Sequence, residues 1–222
     1  MKIIIYTAIY WNYDELLPIV PQDMECEFIL FTDRPRYTKD RRVVIKDFQW
    51  IPNHLKSRYM KTHSHSLAWT NDWISIWIDG NVIIKRPDFV RTLVEAYKWW
   101  ILCIKNDERD SIIEEMDNLK TRDRFKDQWD KIEEQRQFYI EDWYKFDNGF
   151  SWNSILVRDN SPDIAKFNEL WWNQIIEYCY RDMLSMEYCA WKTWVSIHHL
   201  PREGRNNEYM EIWYHSVLSA NK

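Results

Sequence analysis

The sequence predicts an α/β chain built on a mainly parallel central sheet flanked by helices. Three observations predict it. Lys2–Ile9, Glu27–Thr32 and Trp73–Ile78 are apolar on both faces, the pattern of central strands in a covered sheet. Helical stretches alternate with the strands, as in βα units. Two of these strands run into a carboxylate, Asp33 and Asp79, at the carboxyl ends where such sheets bind ligands.

Each element has its own signal. Arg42–Lys46 reads as a third, shorter strand and His54–Trp69 as a helix. After Trp73–Ile78, the stretch WISIWIDGNVIIKRP breaks at Asp79-Gly80-Asn81 and a short apolar run resumes. Trp99–Lys105 is another strand. From Asp110 to Trp143 the text is helical and charged, with Phe125, Trp129, Ile132, Tyr139 and Trp143 as its packing stripe, so an insertion around 108–146 is expected. Trp152–Arg158 returns to strand. Ser161-Pro162-Asp163 is a strong helix start, combining a capping hydroxyl, a first-turn proline and an early acid. Ile164, Phe167, Trp171, Ile175 and Tyr178 form the buried stripe of that helix. Arg181–Trp194 reads as a further helix, Val195–Leu200 as a strand, and the tail from Pro201 as loop.

Composition bounds the function. With 222 residues, 45% hydrophobic and 29% charged, the chain suits one globular domain, 1–222. Its 15 Trp, 13 Tyr and 9 Phe chiefly fill a core, and a few suit a platform for sugar rings or bases. A net charge of −5 disfavours a nucleic-acid binder. Cys26, Cys103, Cys179 and Cys189 show neither CxxC spacing nor a disulfide framework, as expected of a cytoplasmic protein with reduced thiols. The N-terminal run meets Asp14 and Glu15 at once and has no cleavage site, so it reads as a first strand. No segment approaches the ~18 apolar residues of a membrane span.

Asp79-Gly80-Asn81 supports two readings. In extended geometry Asp79 and Asn81 share a side, offering two oxygens to Mg²⁺ or Mn²⁺, with Gly80 giving a diphosphate clearance. Asp-Gly between apolar runs also signals a type I′ hairpin. Arg58, Lys61 and His65 lie on one helical stripe, either a phosphate clamp or a solvated face. His63 and His65 point about 200° apart on a helix and cannot share one ion. Adjacent His198 and His199 face opposite sides of a strand. The three glycines are too few for a glycine-rich phosphate cradle, so any phosphate must be held by metal and cations.

The ordered segments YTAIYWNYDEL, FILFTDRP, SRYMKTHSH, SIWIDGNVII, NDERDSIIEEMD, NGFSWNSILVRDN, YRDMLSMEYCAWK and GRNNEYMEIWYHS resemble a GT-A-type glycosyltransferase family of bacterial and phage polysaccharide loci and plant mucilage synthesis. The resemblance implies a Rossmann-like GT-A fold, a nucleotide-sugar donor (UDP- or GDP-linked), Mn²⁺ or Mg²⁺, and a glycan or other hydroxyl acceptor. Carried over residue by residue, Thr7, Ala8 and Asp33 would meet the nucleoside, while Arg58 and Lys61 would face the donor phosphates. Asp79, Asn81 and the late His215 would hold the metal. Asp182, with Arg181 beside it, would lie near sugar and acceptor. Glu114 and Glu115 would bind on the acceptor side.

This chain departs from the family in places. Asn81 replaces the second carboxylate of a D-x-D, Met183 replaces a usual glutamine in R-D-Q-L-S, and Asn106-Asp107 replaces a usual His-Pro. A usual Pro-His on the basic helix is Ser64-His65 here. Two rivals stand beside the transferase reading: a carbohydrate- or nucleotide-sugar-binding protein without turnover, and a metal-dependent hydrolase built on the histidines. A nucleic-acid acceptor is disfavoured by the net charge.

Overall fold

In the computed structural model, residues 2–36, 38–63, 73–204 and 206–213 are described. The strands are β1 (Lys2–Ile9), β2 (Glu27–Thr32), β3 (Arg42–Ile45), β4 (Trp73–Ile78), β5 (Val82–Ile84), β6 (Ile101–Lys105), β7 (Ser151–Arg158), β8 (Ile197–Glu203) and β9 (Met210–Ile212). Seven of them form one sheet in the order β3-β2-β1-β4-β7-β6-β8. β7 alone runs against both its neighbours; β3/β2, β2/β1, β1/β4 and β6/β8 pair in parallel. This is the mainly parallel, helix-flanked α/β layout expected of a GT-A fold.

The order of strands locates the site. The chain winds outward from β1 through β2 to β3, then crosses back to lay β4 on the other flank of β1. Strand order therefore reverses between β1 and β4, and a crevice opens outside the carboxyl ends of those two strands. Central strands need apolar faces on both sides, and Ile3, Ile5, Ile76 and Trp77 are buried accordingly.

The helices are α1 (Asn53–Thr62), α2 (Phe89–Ala96), α3 (Ile112–Lys120), α4 (Trp129–Glu141), α5 (Pro162–Glu177) and α6 (Met186–Thr193). α1 ends at Thr62, short of the expected Trp69; His65 and the rest of that expected stretch lie outside the described residues. α2, which the pattern reading passes over, buries Phe89, Val90 and Leu93. The charged insertion is not one helix. Ser111 caps α3 by accepting the N–H of Glu114, and a 3-10 turn at Asp123–Gln128 separates α3 from α4. Of its predicted stripe, Phe125, Ile132 and Tyr139 are buried, whereas Trp143 lies beyond the end of α4 with φ 63° and is 86% exposed. α5 begins at Ser161 as predicted, the hydroxyl accepting the Ile164 N–H. The stretch after Arg181 also breaks, into a 3-10 turn at Asp182–Leu184 and then α6.

The tail differs from the expected loop. β8 runs on to Glu203, and β9 pairs antiparallel with β5, Val82 opposite Ile212. The Asp79-Gly80-Asn81 turn is consequently not a type I′ hairpin, because β4 and β5 belong to different sheets and neither Gly80 nor Asn81 has positive φ. Among the described residues no helix is long and apolar enough to cross a membrane.

Candidate active site

A cleft of about 760 Å³ opens at the carboxyl ends of β1 and β4. Ala8, Arg58, Lys61, Asp79, Asn81, Arg181 and Asp182 line it, so residues more than 120 positions apart in the chain meet there. Lys61 is central. It projects from the last turn of α1, only 4% exposed, and its Nζ lies 2.7 Å from Asp182 Oδ2 and 3.1 Å from Asp79 Oδ1. An ammonium can be buried when carboxylates match its charge, and here two do. Its Nζ also sits 5.5 Å from the centroid of the Trp77 ring, whose Nε1 donates to Asp79 Oδ1 at 2.7 Å.

Asp182 is 6% exposed, and its main-chain carbonyl accepts Trp171 Nε1 at 3.0 Å. Burial alone would raise its carboxyl, but Lys61, Arg58 and Arg181 outweigh that and hold it at about 2. It is therefore a carboxylate at any ordinary pH. Arg58 packs over the Tyr180 ring, 5.3 Å from its centroid, and donates to the His54 carbonyl. Arg181 leans back on Glu115, with Nη2 3.4 Å from Oε1.

The residues expected to hold a metal are Asp79, Asn81 and His215. Both partners of Asp79 engage Oδ1, leaving Oδ2 without one among the described residues. Asn81 donates from Nδ2 to the Trp213 carbonyl at 2.9 Å, which turns its Oδ1 away from that contact. Trp213 in turn donates its N–H to the Asn81 carbonyl at 2.7 Å. His215 itself lies outside the described residues. Among those residues no three His, Cys, Asp or Glu side chains group closely enough to hold a metal by themselves. Gly80 serves close packing rather than positive φ: a Cβ there would meet Ile9 Cγ1 at 3.0 Å and Asp14 Oδ2 at 3.2 Å. Protein thus fills the clearance that the sequence assigns to a diphosphate.

Other expected site residues are occupied elsewhere. Thr7 faces a separate, water-sized cavity of about 30 Å³ on the far side of β1 from Ala8. Asp33 accepts the Trp11 N–H with both oxygens, at 3.1 and 3.2 Å, and does not line the cleft. Glu114 caps α3 through the Asp110 N–H at 3.0 Å. Glu115 is 1% exposed, clamped by Arg109 Nε at 3.1 Å, Asn118 at 3.0 Å and Arg181. Neither glutamate reaches the cleft wall; Glu115 acts on it only through Arg181.

The cleft also holds groups that spacing does not reveal: Trp11, Tyr13 and Asp14 from the loop after β1, and Arg124 from the 3-10 turn. Arg124 has its proton affinity lowered by burial and by the like charges of Arg181 and Arg122. Tyr13 is raised by burial and Asp14, while Arg58, Arg124 and Arg181 pull it down. Three guanidinium groups therefore act on one tyrosine, and the cleft is lined by four cations (Arg58, Lys61, Arg124, Arg181) set against four carboxylates (Asp14, Asp79, Asp127, Asp182).

Among solved structures the chain is similar to mouse xyloside xylosyltransferase 1 in its apo form, at 9% identity over 90% of this chain and 84% of that one, TM-score 0.46. It is also similar to the galactosyltransferase LgtC in complex with donor and acceptor sugar analogues, at 9% identity over 89% and 73%, TM-score 0.45. No curated protein sequence matches it. Residues 29–207, well over half its length, match the TOD1/MUCI70 glycosyltransferase-like domain, and the chain belongs to that family.

Proposed function

We propose that this protein is a divalent-cation-assisted glycosyltransferase that moves a sugar from a nucleotide-sugar donor to a hydroxyl of a glycan acceptor. Family membership supports sugar transfer in general. The observation that carries the rest is the bridge of Lys61 between Asp79 and Asp182, which sets a metal-type carboxylate and an acceptor-type carboxylate on opposite sides of one ammonium.

The donor set fits a hard cation. Asp79 Oδ2 and Asn81 Oδ1 come from one turn, and oxygen ligands shared with substrate phosphates suit Mg²⁺ or Mn²⁺. Trp213, bonded to Asn81, stands two residues before His215, and two peptide units reach at most about 7 Å. His215 is thereby our third ligand. Such a cation supplies charge neutralisation for a departing diphosphate.

The chain's own residues do the remaining work. Arg58 offers a planar fork to phosphate oxygens, Arg124 adds a second cation at the mouth, and Ala8 gives a small floor for the nucleoside. Asp182, held ionised, faces the sugar and the incoming hydroxyl as hydrogen-bond acceptor and stabilising anion. A carboxyl held at about 2 is a weak general base, since proton transfer is most efficient near the working pH.

A nucleotide-sugar panel tested by thermal shift with and without Mn²⁺, followed by donor hydrolysis, checks this reading. Stabilisation by one donor only with metal, lost in Asp79→Ala, is expected. No stabilisation by any donor would overturn it, and donor binding without hydrolysis or transfer would favour the binding protein without turnover.

A further inference from the structure

β7 ends on a residue that the transfer reading leaves unused. Arg158 sits in the middle of the sheet, its main chain paired with Ser75 of β4 and Ile101 of β6. Its side chain is 0% exposed and makes no ion pair with a carboxylate among the described residues. Nη1 donates to Asn168 Oδ1 at 2.7 Å, and Nη2 donates to Tyr6 Oη at 2.7 Å and to the Lys61 carbonyl at 2.6 Å. Nε finds no acceptor among the described residues.

Burying a guanidinium against neutral acceptors alone is costly, and an apolar side chain would suit a strand that is buried throughout. What Arg158 grips gives the reason. Lys61 lies in the last turn of α1, where carbonyls lack intrahelical partners and the helix dipole favours a cation. The Lys61 ammonium is the one that bridges Asp79 and Asp182. Arg158 thus holds the main-chain carbonyl of Lys61, while Asp79 and Asp182 hold its ammonium.

We propose that Arg158 is a positioning residue for Lys61: it fixes the lysine's main chain so that the ammonium stays between Asp79 and Asp182. This rests on the transferase reading for its catalytic consequence, but not for its geometry. The grip is rigid because Arg158 belongs to a strand paired on both sides, and Tyr6 and Asn168 orient its fork.

The test uses the full chain with Arg158→Met, which keeps length and removes the donors, Arg158→Gln as a second neutral variant, and Arg158→Lys as the conservative one. One readout needs no substrate: the rate of amine acylation at Lys61, followed by mass spectrometry, with circular dichroism reporting the fold. Folded Met or Gln variants should acylate Lys61 on the order of 10-fold faster, and Arg158→Lys should return much of the protection. With a turned-over donor, kcat should fall on the order of 10-fold or more while KM moves little, because misplacement of a side chain by about 1 Å is felt mainly in the transition state. Acylation at the wild-type rate in both neutral variants, or unchanged kcat, would overturn the proposal. If the wild type turns over no donor, the transferase reading fails, and the acylation arm still decides whether Arg158 positions Lys61.

Discussion

Asn81 and Trp213 hold each other by two hydrogen bonds, side-chain amide to carbonyl at 2.9 Å and main-chain N–H to carbonyl at 2.7 Å. Removing the first, in Asn81→Ala, frees one tether and takes away the oxygen proposed as a metal ligand. Mn²⁺-dependent stabilisation by donor should weaken by roughly 10-fold in apparent affinity, about 1.4 kcal/mol. Titration of Mn²⁺ by thermal shift at fixed donor measures it, and an unchanged midpoint would remove Asn81 from the metal set.

Lys61→Met leaves two carboxylates facing each other without their cation. Breaking a buried ion pair by deleting one partner costs about 3–5 kcal/mol, and urea unfolding at neutral pH should show a loss of that order. The sign with pH follows from Asp182, whose carboxyl is held down at about 2. Its contribution is present above the ordinary carboxyl range and is lost as pH falls through about 2. The gap between wild type and Lys61→Met should therefore close on acidification, and a constant gap would contradict the assignment.

Gly80→Ala places a methyl group against Ile9 and Asp14. Both contacts are side-chain atoms and no positive φ is involved, so overpacking sets the cost, about 1–3 kcal/mol. Denaturant unfolding checks the figure. Displacement of the Asp14 carboxylate should accompany it, visible in a crystal structure of the variant.

Glu187 is the opposite case to Asp182. Burial pushes its carboxyl from 4.5 up to about 8, with 2% of the residue exposed. The folded state holds the proton that the unfolded chain releases, so this contribution is complete below pH 4.5 and lost as pH rises through about 8. Glu187→Gln should be more stable than wild type at pH 8, by an amount on the order of 4 kcal/mol, and equally stable at pH 4. Guanidinium unfolding at the two pH values measures the difference.

Much of the fold is legible because two-sided apolar runs leave little ambiguity. β1, β2 and β4 begin and end where their runs do. The insertion is less legible: periodicity continues across a cap at Ser111 and a 3-10 turn, neither of which interrupts the charged pattern. β9 has three residues in a polar tail, and its partner lies far back in the chain. Within the site, Arg58, Lys61, Asp79, Asn81, Arg181 and Asp182 do line one cleft, and a strand end and a helix stripe fix where Asp79, Arg58 and Lys61 point. Asp33, Glu114 and Glu115 do not, because local N–H groups and arginines already engage them. Asp14 sits in a loop and Arg124 in a short 3-10 turn, and neither belongs to an apolar pattern that would show where it points. Arg158 did carry a signal, a charged residue closing an otherwise uncharged, fully buried strand.

The small β5–β9 ribbon has a consequence for biosynthesis. Its second half follows all seven strands of the large sheet in the chain, yet it seats beside the turn bearing Asp79. A growing chain holds every strand of the seven-stranded sheet before it can zip that ribbon, which closes a loop of more than a hundred residues at little added entropic expense. Competence to bind a substrate should thus follow assembly of the large sheet, and fragments lacking the ribbon should look native to most spectroscopic probes while remaining inert.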